Sequence, residues 1–151
     1  MDILDKKRAD REKGRVEQLR EAAEQGHISA QRLLGEYYFN GWGIPQDKEE
    51  ATNWYRKSAE QGNTEAQWRL AECYFEGEGV PQDKEEAIVW WRKASAQNGQ
   101  YADYSKYRLG KCYYDGDGVP KSKTEAIKWL QKASEKGHKE ATDLLRQIEG
   151  K

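Results

Sequence analysis

What this chain lacks narrows its class. No run of about 18 apolar residues occurs, so no membrane-spanning helix is expected. An excess of one charge is also missing: 35% of the residues are charged, yet the net charge is only -1. Nucleic-acid binders carry a basic surplus, so a nucleic-acid partner is not expected. Leu, Ile, Val and Phe are scarce, which would signal disorder only beside a high net charge. The opening stretch MDILDKKRADREKGR has no apolar run and is no secretory signal. A cytoplasmic location is therefore expected, with periplasm or secretion as the alternative for a chain whose leader has been removed.

The apolar mass lies in six Trp, nine Tyr and many Ala. Large rings against small alanines suit closely packed helices. Three similar strings organise the chain: GWGIPQDKEEA from Gly41, GEGVPQDKEEA from Gly77 and GDGVPKSKTEA from Gly116. The second starts 36 residues after the first (77 − 41), the third 39 after the second (116 − 77). The three extra residues are expected between helices, near QNGQYAD.

Upstream of each string, Ala30, Leu34, Gly35 and Tyr38 recur as Ala66, Leu70, Ala71 and Tyr74, and as Ser105, Leu109, Gly110 and Tyr113. Downstream, Ala51, Trp54, Tyr55 and Ser58 recur as Ala87, Trp90, Trp91 and Ala94, and as Ala126, Trp129, Leu130 and Ala133. These spacings trace one face of a helix. Each unit is thus helix A, turn, helix B, and must stack on its neighbours to bury that face. Gly35, Ala71 and Gly110 are the small residues that let helix B approach. Val16, Leu19, Ala22 and Ala23 resemble a worn helix B; Ala141, Leu145 and Ile148 resemble a final helix A, with Glu149 in place of the repeated tyrosine. The expected organisation is one solenoid domain: a capping region at 1–26, repeats at 27–62, 63–101 and 102–137, and a capping helix at 138–151.

The glycine-rich strings invite a phosphate-loop reading, which the residues do not support. The G-x-x-x-x-G-K-[ST] spacing and a preceding strand are absent, and Glu78, Asp83, Glu85 and Glu86 would repel an anion. A structural role accounts for every position. Gly77 ends helix A, Pro81 stops its continuation, and Asp47, Asp83 and Ser122 cap helix B, with Glu50, Glu86 and Glu125 three residues on.

These repeated residues resemble the Sel-one-like repeat family, relatives of the tetratricopeptide repeats, over Gly26 to Ile148. The resemblance implies an all-α, α/α superhelical solenoid with a concave groove lined by the A helices. It also implies a non-enzymatic adaptor that binds a protein or peptide partner. Some small solenoids of this kind serve as inhibitor or immunity proteins. In the family's cysteine-rich branch two cysteines staple each repeat; here Cys73 and Cys112 are one per unit, at equivalent positions. Neighbouring helices lie about 8–10 Å apart, beyond the reach of a disulfide, so both are expected reduced.

A second stripe on helix A marks the expected binding face. Trp68 stands about 200° from Leu70 around the helix and points away from the core. Phe75 shares its face, with Glu65, Glu72 and Glu76 beside them. The matching positions are Ser29, Arg32, Glu36, Phe39 and Asn40 in the first unit, and Tyr104, Tyr107, Lys111, Tyr114 and Asp115 in the third. Exposed aromatics between charges suit a partner with basic and apolar residues. The alternative for Phe39, Phe75 and Tyr114 is that they complete the core between repeats. His27 and His138 are about three layers apart, too far to share a metal, and a helix-start role is expected. No cofactor, metal or small-molecule substrate is expected, and the chain should be a monomer. A thiol hydrolase using Cys73 or Cys112 is the enzymatic rival; such a nucleophile needs a base in contact, and His138 is a layer away from Cys112.

Overall fold

The computed structural model describes residues 2–150, and within them every regular element is a helix: α1 Ile3–Glu24, α2 Ile28–Asn40, α3 Lys48–Glu60, α4 Thr64–Glu76, α5 Lys84–Ser95, α6 Gln100–Asp115, α7 Lys123–Glu135 and α8 Lys139–Glu149. Helices α2, α4, α6 and α8 are the A helices; α1, α3, α5 and α7 are the B helices. Each helix packs on the next in sequence, and α4 also touches α6 across a layer. The chain is an α/α solenoid.

The predicted turns form as their residues require. Gly41, Gly77 and Gly116 end the A helices in the left-handed region, which a side chain would disfavour. Asp47, Asp83 and Ser122 accept the backbone N–H of Glu50, Glu86 and Glu125 at 3.0, 3.0 and 3.2 Å. The second glycine of each turn has a further role that the sequence reading missed. A Cβ on Gly79 would lie 2.1 Å from the carbonyl oxygen of Lys48, and one on Gly118 2.7 Å from that of Lys84. Each turn therefore rests directly on the B helix of the layer before it.

Small residues allow the A–B approach as expected. A Cβ on Gly35 would meet the Tyr55 ring at 2.7 Å, and one on Gly110 would meet Leu130 at 2.7 Å. Leu34, Leu70 and Leu109 on the A helices are buried, as are Tyr55, Trp91 and Leu130 on the B helices. A second repeated contact ties layers together. Arg20, Arg56 and Arg92 lie over the rings of Tyr38, Tyr74 and Tyr113 at 5.6, 5.8 and 5.9 Å. Deeper in, Gln61 donates to Gln31 and Gln97 donates to Gln67 at 2.6 and 2.8 Å, while Gln31 and Gln67 donate to the carbonyls of Ala23 and Ala59. These bonds satisfy amides that burial would otherwise penalise.

One expectation is corrected. The three extra residues do not lie between helices. They lengthen α6 by an N-terminal turn, giving it 16 residues where α2 and α4 have 13. Gly99, at φ 104, starts that turn without a side-chain cap.

Candidate functional site

The stripe on the A helices is built from alternating ring and charge contacts. Arg69 Nε lies 2.7 Å from Glu36 Oε1, and Arg108 Nε lies 3.1 Å from Glu72 Oε1, so each pair joins one A helix to the next. The contacts are ion pairs rather than aligned hydrogen bonds, since Glu36 Oε1 and both Nε atoms lack a bond of good angle. Arg32 extends the series to Glu65 at 3.2 Å. Glu36 is buried, and the Tyr55 hydroxyl beside it is driven far above its usual range, first by burial and then by that carboxylate. The sequence reading chose Glu36 and Glu72 but missed Arg69 and Arg108. Each arginine sits one position past the stripe and reaches it only because the helices stack in this register.

One group of aromatic residues clusters around Trp68. The Trp68 ring is 5.4 Å from Tyr101 and 5.9 Å from Tyr104, and Tyr101 meets Tyr104 edge-on at 5.7 Å. His138, at the start of α8, stacks on Tyr107 at 4.8 Å and meets Tyr104 at 5.5 Å. Trp68, Tyr104, Tyr107, Arg108, His138 and Glu140 line an open cleft of ≈ 310 Å³. Tyr101 belongs to the extra turn of α6, which is how the insertion adds a ring to this face. Burial, with the Glu65 carboxylate beside it, holds the Tyr101 hydroxyl above its usual range. His138 takes the expected helix-start place: its Nδ1 accepts the Ala141 N–H at 3.2 Å. His27 occupies the same place before α2 without a side-chain bond.

Trp68 is half-buried rather than free: one side packs on the central core, and Arg69 lies 5.0 Å over its ring. Tyr107 likewise packs on the last core cluster, while Tyr104 is 37% exposed and the most open of the group. Phe39 and Phe75 are half-buried against Tyr55 and Trp91, at 6.3 and 5.4 Å. Lys48 and Lys84 lie over them at 5.1 and 5.0 Å. Lys111 pairs with Asp115 at 3.3 Å, and Tyr114 is half-buried. The face thus joins Phe39, Trp68, Phe75 and the Tyr101–Tyr107 group along adjacent A helices.

Cys73 and Cys112 are free and buried, and burial pushes each thiol up to about 11. At neutral pH only about one in ten thousand of such thiols is the nucleophilic thiolate. Among the described residues no cluster of three or more His, Cys, Asp or Glu is placed to hold a metal, and no helix is long and apolar enough to cross a membrane.

Comparison with known proteins gives this geometry its context. Sel1 repeat matches cover residues 28–63, 64–99 and 103–138. Among solved structures, c5321, a protective antigen of uropathogenic Escherichia coli with an SLR fold, is 40% identical with a TM-score of 0.76, over 81% of this chain and 26% of its own. A Sel1 repeat protein from Oxalobacter formigenes is 34% identical with a TM-score of 0.75, over 82% of this chain and 50% of its own. This chain therefore spans a quarter to a half of the length of those two bacterial proteins. Helicobacter pylori cysteine rich protein B shares the fold at 22% identity and a TM-score of 0.62, over 86% of this chain and 96% of its own. No curated protein matches by sequence. Three consecutive repeat matches and two relatives above 30% identity agree with the helix–turn–helix units described above, and the chain belongs to the Sel1 repeat family.

Proposed function

We propose that the chain is a protein-interaction module that holds a partner protein or peptide on the face of its A helices. Sel1 repeats are generally protein-interaction modules and typically non-catalytic scaffolds. The observation that carries the reading for this chain is the cluster of Trp68, Tyr101, Tyr104, Tyr107 and His138 around an open cleft. Four of its rings come from α4 and α6 and the fifth from the start of α8, so the cluster lies along the stack. Half-exposed rings, held in place by their neighbours, bind without losing much side-chain freedom. The pairs of Arg32 with Glu65 and Arg108 with Glu72 set the charge pattern around them. Phe39, Phe75, Lys111 and Tyr114 continue the surface. In this reading buried Glu36 holds Arg69 in place rather than touching the partner.

The test begins with affinity capture from the native host and identification of the captured protein by mass spectrometry. Binding of that purified partner is then measured to the wild type and to the Tyr104→Ala and Tyr107→Ala variants. Loss of central ring contacts should weaken binding about 30-fold, the equivalent of about 2 kcal/mol, with the helical content retained. Unchanged affinity in both variants would remove the A-helix face from consideration.

A further inference from the structure

Two clefts on the A-helix face share one construction and differ in one charge. The first, of ≈ 200 Å³, is lined by Phe39, Trp68, Arg69, Glu72 and Glu76 among others. The second, of ≈ 130 Å³, lies one layer on and is lined by Phe75, Arg108, Lys111 and Asp115 among others. Phe39 corresponds to Phe75, Arg69 to Arg108, Glu76 to Asp115, and Glu72 to Lys111. The mouths also match: Lys48 pairs with Glu78 at 3.0 Å, and Lys84 with Asp117 at 3.2 Å.

The second cleft is internally neutral there, because Lys111 Nζ lies 3.3 Å from Asp115 Oδ2 one helical turn away. In the first cleft the same two positions are both acidic. Glu72 reaches across to Arg108 at 3.1 Å, but no ion pair is formed by Glu76 among the described residues. Like charges one turn apart on a helix repel. Burial, and Glu76 behind it, hold the Glu72 carboxyl above its usual range, with Arg108 opposing. The first cleft therefore lacks a cation at the place where the second supplies its own.

Resting on the reading of the A-helix face as a binding surface, we propose that the cleft between α2 and α4 receives a lysine side chain of the partner protein. Its ammonium stands beside Glu76 and Glu72, where Lys111 stands in the next layer, and its methylene stem runs between Phe39 and Trp68. A guanidinium gains less from stacking here, because cations of the chain itself already lie over the two rings. Arg69 already lies over Trp68 at 5.0 Å and Lys48 over Phe39 at 5.1 Å.

The probes are an N-acetylated, C-amidated Ala-Lys-Ala peptide and its norleucine twin, titrated into the full isotope-labelled chain by NMR. The lysine peptide should give saturable shifts at the Glu76 amide and the Trp68 indole, with an affinity about five-fold above that of the norleucine peptide. Glu76→Gln, at an exposed position, should remove that preference. Glu72→Lys, which supplies the cation within the helix, should abolish saturable binding. Equal affinity for the two peptides, no saturable shift with either, or an unaltered lysine preference in Glu76→Gln overturns the proposal. Because the peptides need no native partner, this result is separate from the Tyr104 and Tyr107 test. A lysine preference can survive failure of the wider reading, and partner binding through the rings can survive loss of the lysine subsite.

Discussion

Glu72 shows how one residue can serve two layers at some cost. Its carboxylate is drawn from water between α4 and α6, pairs with Arg108 and faces Glu76. Its protonation is easier in the folded chain than in the unfolded one, because burial outweighs the arginine. A carboxyl raised in this way contributes stability that is present below the unfolded value of about 4.5 and is lost as pH rises through the folded value. Glu72→Gln removes the titration. In urea unfolding, the wild type should therefore lose stability relative to the variant as pH rises from about 4.5. A gap constant with pH would show that Arg108 fully offsets burial, and one that moves the other way would show that Arg108 dominates. The Gly35–Tyr55 approach and the three helix caps were readable from residue type, because φ, size and capping chemistry are local. The Arg108 partnership was not readable in that way, since it depends on the offset between neighbouring helices. One signal was present within the chain: the arginine appears at 69 and 108, after Glu36 and Glu72, and gives way to Leu144 after Lys111.

At the scale of the element, α6 departs most from its repeat. The period readily located each turn, but it did not show whether three added residues would loop out or wind into the helix. Winding wins because the added Tyr101 finds Trp68 and Tyr104, and its backbone gains helical bonds that a loop would leave to water. Removing Gln100–Ala102 would restore the 36-residue spacing. The solenoid should persist, since every core position of α6 from Ser105 onward is retained. Trp68 would lose its Tyr101 neighbour, so its indole N–H should exchange faster with solvent by NMR, while circular dichroism should report a loss of about one helical turn. Collapse of the cooperative unfolding transition in the deletion would instead make the added turn a structural requirement of the stack.

The whole molecule is a row of layers whose cores join only to their neighbours. The first cluster gathers Val16, Ala23, Leu34, Tyr37 and Trp54; the central one runs from Ala51 through Trp91 to Cys112; the last holds Leu130, Ala133, Ala141 and Leu145. Stability in such an array is close to a sum of units and their interfaces, so it should be greatest where a unit has neighbours on both sides. The first half of α1 is at the other extreme. Residues 2–11 are exposed throughout, with Ile3 and Leu4 at 72% and 70%, and this part of the helix buries no side chain. A lone helical segment of that length is marginal in water. Native-state hydrogen exchange should therefore rank the amides in order: α4 and α5 slowest and opening only with the whole chain, α8 intermediate, and residues 3–11 fastest through local fraying. Exchange in residues 3–11 as slow as in α4 would require a surface covering that arm, and it would move the search for an interface from the aromatic face to the first helix.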